Sequence, residues 1–133
     1  MDSEFCRWKD FNNSDKDLLL TEFFFNKLEI QLQSAKSKNI FLVTHFPFYP
    51  EFLNFTGENW EYEYFGAFMG SKKYLKLLNE YNIKYHVCGH LHRASTIVYK
   101  QCQAYLSPIG YYKEWESDTV GQRLAKRLLS LQV

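Results

Sequence analysis

The sequence predicts an α/β (α+β) domain, and three observations carry that prediction. Leu20, Phe24, Leu28 and Leu32 recur every fourth residue, which is one face of a helix. The apolar run 40–43 and the stretch 83–88 each follow a helical stretch and read as strands, the first of them buried. Helices alternating with strands in this way lay helices onto a sheet.

Taken in order, residues 1–13 place Phe5, Trp8 and Phe11 among charges, as an edge strand or an irregular lead-in. Ser14, with Asp17 three residues on, resembles a capping box and opens a helix that runs to about Ser37. Leu19, Phe23 and Ile30 widen its stripe. After the turn Ser37-Lys38-Asn39 the first strand ends at Thr44-His45. Residues 47–70 are broken by Pro47, Pro50, Gly57, Gly66 and Gly70 and form a long loop. Ser71 caps a second helix with Tyr74, Leu77, Leu78 and Tyr81, Asn82 ends it, and the strand 83–88 follows. Residues 96–99 and 104–107 make a hairpin about Lys100-Gln101. Val120, Leu124, Leu128 and Leu131 predict a C-terminal amphipathic helix capped near Asp118. The whole of residues 1–133 reads as a single domain.

Composition narrows the function classes. The chain is 46% hydrophobic and 23% charged, as expected of a folded core rather than a disordered segment. A net charge of +1 offers no electrostatic footprint for nucleic acid or an anionic membrane. Three cysteines, Cys6, Cys88 and Cys102, without a CxxC pair, argue against a disulfide framework and for a reducing compartment. No apolar cluster approaches the roughly 20 residues of a membrane span, and Met1-Asp2-Ser3-Glu4 has no signal-peptide character. The expectation is a soluble, cytoplasmic protein. Aromatic residues reach 19%, so much apolar surface must be hidden in the core or against a partner.

The chemistry lies in the histidines. In α/β sheets, functional groups gather beyond the carboxyl ends of strands. His45 stands at one such end, and His90 and His92 at the next, after Gly89. The glycine suits a tight turn close to a bound ion, and neutral imidazole is a common ligand of first-row metals. His86, four residues before His90 and inside the strand, reads as a satisfied core histidine. Cys88 could join His90 and His92 in a zinc cluster, but it is better explained as a buried thiol and is left out of the site.

The run Phe41-Leu42-Val43-Thr44-His45 resembles the strand-end histidine motif of calcineurin-like metallophosphoesterases, and Val87-Cys88-Gly89-His90-Leu91-His92 resembles that family's closing G-H-x-H motif. Ser107-Pro108-Ile109-Gly110-Tyr111 is similar to the segment that often follows. The resemblance spans about residues 14–112 and implies part of a β-sandwich flanked by helices, namely its C-terminal half. It further implies a metal-dependent phosphoesterase: a hydrolase that cleaves phosphate esters with a dinuclear metal-activated water. Two divalent metal ions serve a complete site, drawn from Mn, Fe, Zn or Ni. By position, His45 and His90 would ligate one metal and His92 the other.

The family's remaining ligands come from motifs of the form D-x-H, G-D-x-x-D and G-N-H-D/E. None occurs in this chain. The expectation is therefore a chain that is inactive alone, completed by the missing N-terminal half from a longer parent or another polypeptide, and prone to self-association. A non-catalytic, metal-binding or protein-interaction module is the alternative. The 47–70 loop is aromatic and acidic, with Glu51, Glu58, Glu61 and Glu63 and no Lys or Arg. It could stack on a flat substrate group, but local packing explains its aromatics better, and its acids argue against nucleic acid.

Overall fold

A computed structural model describes residues 16–35, 38–52 and 72–131. The expected lead-in over 1–13, the Ser14 and Ser71 caps and most of the 47–70 loop lie outside the described residues. The chain divides into two compact units at Ser34/Ala35.

The first unit contributes helix α1, Lys16–Ser34. Its buried positions are Phe25 and Leu32, seven residues apart and hence on one face. Phe24, Phe23, Leu19 and Ile30 are exposed, so the buried stripe keeps Leu32 of the predicted one but takes Phe25 in place of Phe24. The reason is visible in the sequence: Leu18-Leu19-Leu20 and Phe23-Phe24-Phe25 supply an apolar residue to several faces, and periodicity alone cannot choose among them.

The second unit is built on a four-stranded mixed sheet of order β1-β2-β4-β3. Strand β1 is Ile40–Thr44, β2 Ile83–Cys88, β3 Ser95–Tyr99 and β4 Cys102–Leu106. β1, β2 and β4 run parallel, and β3 pairs antiparallel with β4. A register shift at Ile40/Phe41 places one extra residue on β2 there. Lys100, at φ +53°, turns the β3–β4 hairpin, as the sequence predicts.

One face of the sheet carries the core. Leu42, His86 and Ala104 lie side by side in register, as do Cys88 and Leu106. Helix α2, Leu75–Glu80, buries Leu77 and Leu78 completely, and Tyr49 and Phe52 are equally buried. The first residues of the aromatic loop thus face inward: Phe48 stacks on Tyr74 at 4.8 Å between ring centroids, and Tyr49 meets Phe52 edge-on at 5.4 Å. This supports local packing for that part of the loop. The opposite face shows Phe41, Val43 and Val98 at 50%, 64% and 73% exposure, beside Tyr85, Val87 and Gln103 in the ladder.

Helix α3, Val120–Arg127, starts as expected, but its cap is Thr119, not Asp118. Thr119 Oγ1 accepts from the Gln122 amide, and Gln122 Oε1 accepts from the Thr119 amide. Asp118 instead pairs with Lys126 at 2.6 Å and Arg123 at 3.8 Å, two helix residues whose long side chains reach back to it. Val120, Leu124 and Leu128 are exposed, so the predicted apolar stripe of this helix covers no core among the described residues.

Candidate metal centre

The parallel arrangement gathers the site. Thr44, Cys88 and Leu106 stand in one row across β1, β2 and β4. The ladder continues one step beyond them: the Gly89 amide donates to His45 C=O at 3.1 Å and the Ser107 amide to Cys88 C=O at 2.9 Å. Every residue just past these strand ends is thereby held at the same edge of the sheet. This is where α/β sheets place ligands.

His45 and His90 meet there. His45 Nε2 lies 3.1 Å from His90 Nδ1, with ring centroids 4.9 Å apart and nearly perpendicular. Phe46 lies against both rings, at 4.7 Å from His45 and 4.6 Å from His90. Burial, and then the proximity of His45 and His92, holds the His90 imidazole below its ordinary pKa. That keeps it neutral, which is the ligand form.

The backbone conformation credited to Gly89 belongs to the next residue. His90 has φ +67°, while Gly89 is not left-handed and a Cβ there would meet only His45 O at 3.8 Å. A non-glycine residue in this region costs about 1–3 kcal/mol, and such residues concentrate at functional sites. Histidine is among the types that tolerate it. The strained turn points the His90 ring back across the sheet edge toward His45.

His92 is brought to the same edge but not into that pair. Its Nδ1 lies 2.8 Å from one Glu114 oxygen and 3.0 Å from the other, and its ring meets Tyr111 edge-on at 4.4 Å. The His92 hydrogen bond, followed by the Tyr111 amide, holds the Glu114 carboxyl below the usual range. Donation from Nδ1–H to a carboxylate leaves Nε2 as the ligand atom, an arrangement common behind metal-binding histidines. Glu114 is missed by sequence reasoning. It lies 22 residues beyond His92 in no motif, and a short 3-10 turn, Tyr112–Glu114, delivers it. Gly110 makes room: at φ +75° it sits where a Cβ would be 2.8 Å from Glu114 Oε2.

The donors fit a metal in part. Two nitrogens 3.1 Å apart are close to the edge of a tetrahedral shell, roughly 3.3 Å for metal–nitrogen bonds of about 2.05 Å. Among the described residues no three His, Cys, Asp or Glu side chains are grouped to hold an ion, so these residues present a pair rather than a full shell. The Cys88 side chain is engaged elsewhere. Its thiol is buried, donates toward Tyr105 C=O at 3.6 Å and is pushed up to about 12, chiefly by burial. His86 is likewise a core residue, fully buried with both ring nitrogens partnered.

The family described as calcineurin-like phosphoesterase matches residues 4–94. The chain is similar in structure to a phosphopantetheinyl hydrolase from Mycobacterium tuberculosis, with a TM-score of 0.71 and 21% sequence identity over 92% of this chain. It spans 42% of that protein's length. At that identity the likeness concerns the fold. No curated protein sequence matches the chain.

Proposed function

The chain belongs to the calcineurin-like phosphoesterase family, and we propose that it is the histidine-bearing half of a metal-dependent phosphoesterase site. The facing pair His45 Nε2 and His90 Nδ1 carries the reading. His45 and His90 would hold one divalent ion and His92, oriented by Glu114, a second; Mn, Fe, Zn and Ni all suit imidazole donors. Bound metal would supply Lewis-acid activation for hydrolysis of a phosphate ester. The strained turn at His90 fixes one donor, the Phe46 ring excludes water from one side of the pair, and Glu114 sets the ring nitrogen that His92 presents. The substrate class is a phosphate ester; an acidic, aromatic neighbouring loop disfavours nucleic acid.

The chain lacks D-x-H, G-D-x-x-D and G-N-H-D/E motifs, and three imidazoles bring no negative charge to balance two dications. Catalysis therefore requires carboxylates from an additional segment or polypeptide, and this chain alone is inactive. A reducing, cytoplasmic setting suits the free thiols of Cys88 and Cys102, and no helix among the described residues is long and apolar enough to cross a membrane.

One experiment tests both parts: metal content and aryl phosphate hydrolysis of the purified chain, with His45→Ala and His90→Ala controls. Divalent metal retained by the chain, lost in both variants, with hydrolysis at background, is the expected result. Metal retention unchanged in both variants overturns the site. Robust hydrolysis abolished by His90→Ala overturns the incompleteness.

A second reading, a metal-binding or protein-interaction module, is favoured by the open sheet face of Phe41, Val43 and Val98. It predicts self-association, and light scattering that shows only monomer counts against it.

A further inference from the structure

Beneath the metal centre lies a buried polar chain that the proposed chemistry does not use. His86 has no exposed surface. Its Nε2 is 2.8 Å from Thr44 Oγ1 and its Nδ1 is 3.1 Å from Tyr49 Oη; Tyr49 Oη is in turn 3.5 Å from Cys102 Sγ. Thr44 Oγ1 is also 2.7 Å from Phe46 C=O. These atoms join β4, the loop after β1, β2 and the end of β1.

The protons of this chain follow from counting donors and acceptors. A carbonyl and a hydroxyl oxygen 2.7 Å apart need a proton between them, and only Thr44 has one to give. Thr44 Oγ1 therefore donates to Phe46 C=O and must accept from His86, so Nε2 carries the imidazole proton. Burial lowers His86 to about 4, so the ring is neutral at pH 7 and Nδ1 is bare. Tyr49 O–H then donates to Nδ1. Burial also raises the Cys102 thiol, which stays protonated and is left to donate to Tyr49 Oη. Every proton in the series has one place.

The end of this series grips the metal centre. Thr44 and Phe46 flank His45, and their hydrogen bond cinches the backbone around it. The Phe46 ring touches both His45 and His90. Were His86 in the other tautomer, Thr44 would have to donate to Nε2 and release Phe46 C=O.

We propose that His86 is a positioning residue: in its Nε2–H tautomer, with Tyr49 donating to Nδ1 behind it, it leaves the Thr44 hydroxyl to donate to Phe46 C=O and so fixes His45 opposite His90. The proposal rests on the reading of His45 as a ligand only for its effect on metal affinity; the placement of His45 can be read without metal.

The test uses the full chain with 15N-labelled histidine. In the metal-free wild type, His86 is expected as a single Nε2-protonated tautomer. Thr44→Val, which keeps shape but removes the hydroxyl, is expected to shift the His45 and His90 ring resonances and to weaken Zn2+ binding about three- to tenfold. Thr44→Ser is expected to restore both, an outcome that a purely packing role for the threonine methyl would not give. If Thr44→Val does not fold, Tyr49→Phe is judged on the same resonances, with a mixed His86 tautomer expected. A wild-type His86 protonated at Nδ1, or His45 resonances unmoved in the folded variant, overturns the proposal. His45→Ala separates the two readings: Zn2+ binding unchanged by it removes His45 from the ligand set, and the metal-free resonances then decide the positioning role by themselves.

Discussion

His45 Nε2 stands 3.1 Å from His90 Nδ1 across 45 residues of chain, and His90 reaches it with a left-handed backbone. At an ordinary negative φ, Gly costs more than Ala because it loses more backbone freedom. At φ +67° the order reverses, because Ala carries the Cβ clash that costs about 1–2 kcal/mol. His90→Gly is expected to be more stable than His90→Ala by about 1 kcal/mol in urea denaturation, while both lose divalent-metal binding by calorimetry. Equal stability of the two variants would show that position 90 is not left-handed in solution.

Gly110 is the second backbone constraint at the site. A methyl group there would lie 2.8 Å from Glu114 Oε2 at φ +75°. Gly110→Ala should therefore destabilise the fold by about 1–2 kcal/mol and displace Glu114 from His92. Thermal unfolding measures the first effect, and the His92 ring resonances report the second.

The Glu114 carboxyl titrates below its usual range mainly because it accepts from His92. In a 13C-detected pH titration, His92→Ala should return Glu114 toward the ordinary carboxylate value. Glu114→Gln keeps an acceptor but removes the charge, and should weaken metal binding about tenfold. Unchanged affinity would leave Glu114 as a structural partner only.

His86 links stability to acid. Its pKa falls from 6.5 unfolded to about 4 folded through burial, so the unfolded chain binds the extra proton between these values. Stability from this group is complete above about pH 6.5 and is lost as pH falls through about 4, in total on the order of 3 kcal/mol. The groups facing the ring, Thr44, Tyr49 and beyond it Cys102, are uncharged over that range. The slope of unfolding free energy against pH, measured by urea denaturation, should be shallower in His86→Leu than in the wild type. An identical slope would mean that His86 is protonated in the fold.

Local patterns made much of this molecule legible. Strand β1 is written in a short apolar run, β2 in the stretch that follows the second helix, and the hairpin in its turn residues; the three histidines are marked by their place just after the first two strands. The register of faces was less legible. In α1 the triplets of Leu and Phe let Phe25 replace Phe24 on the buried stripe. At α3, Thr119 rather than Asp118 caps the helix because only its hydroxyl reaches the Gln122 amide. Glu114 had no sequence signal at all.

What the sequence by itself determined is thus the kind of chain and its candidate ligands: an α/β member of the calcineurin-like phosphoesterase family with His45, His90 and His92 at strand ends and no D-x-H, G-D-x-x-D or G-N-H-D/E motif. Tertiary structure alone decided which of these side chains meet. Parallel pairing of β1 with β2 sets His45 against His90, and the segment after β4 gives His92 to Glu114. The left-handed residue is His90 rather than Gly89, and His86 is joined through Thr44 to the backbone beside His45. These are distances between residues far apart in the chain. They depend on strand order and on which buried polar atom must find a partner, and nearest-neighbour spacing encodes neither.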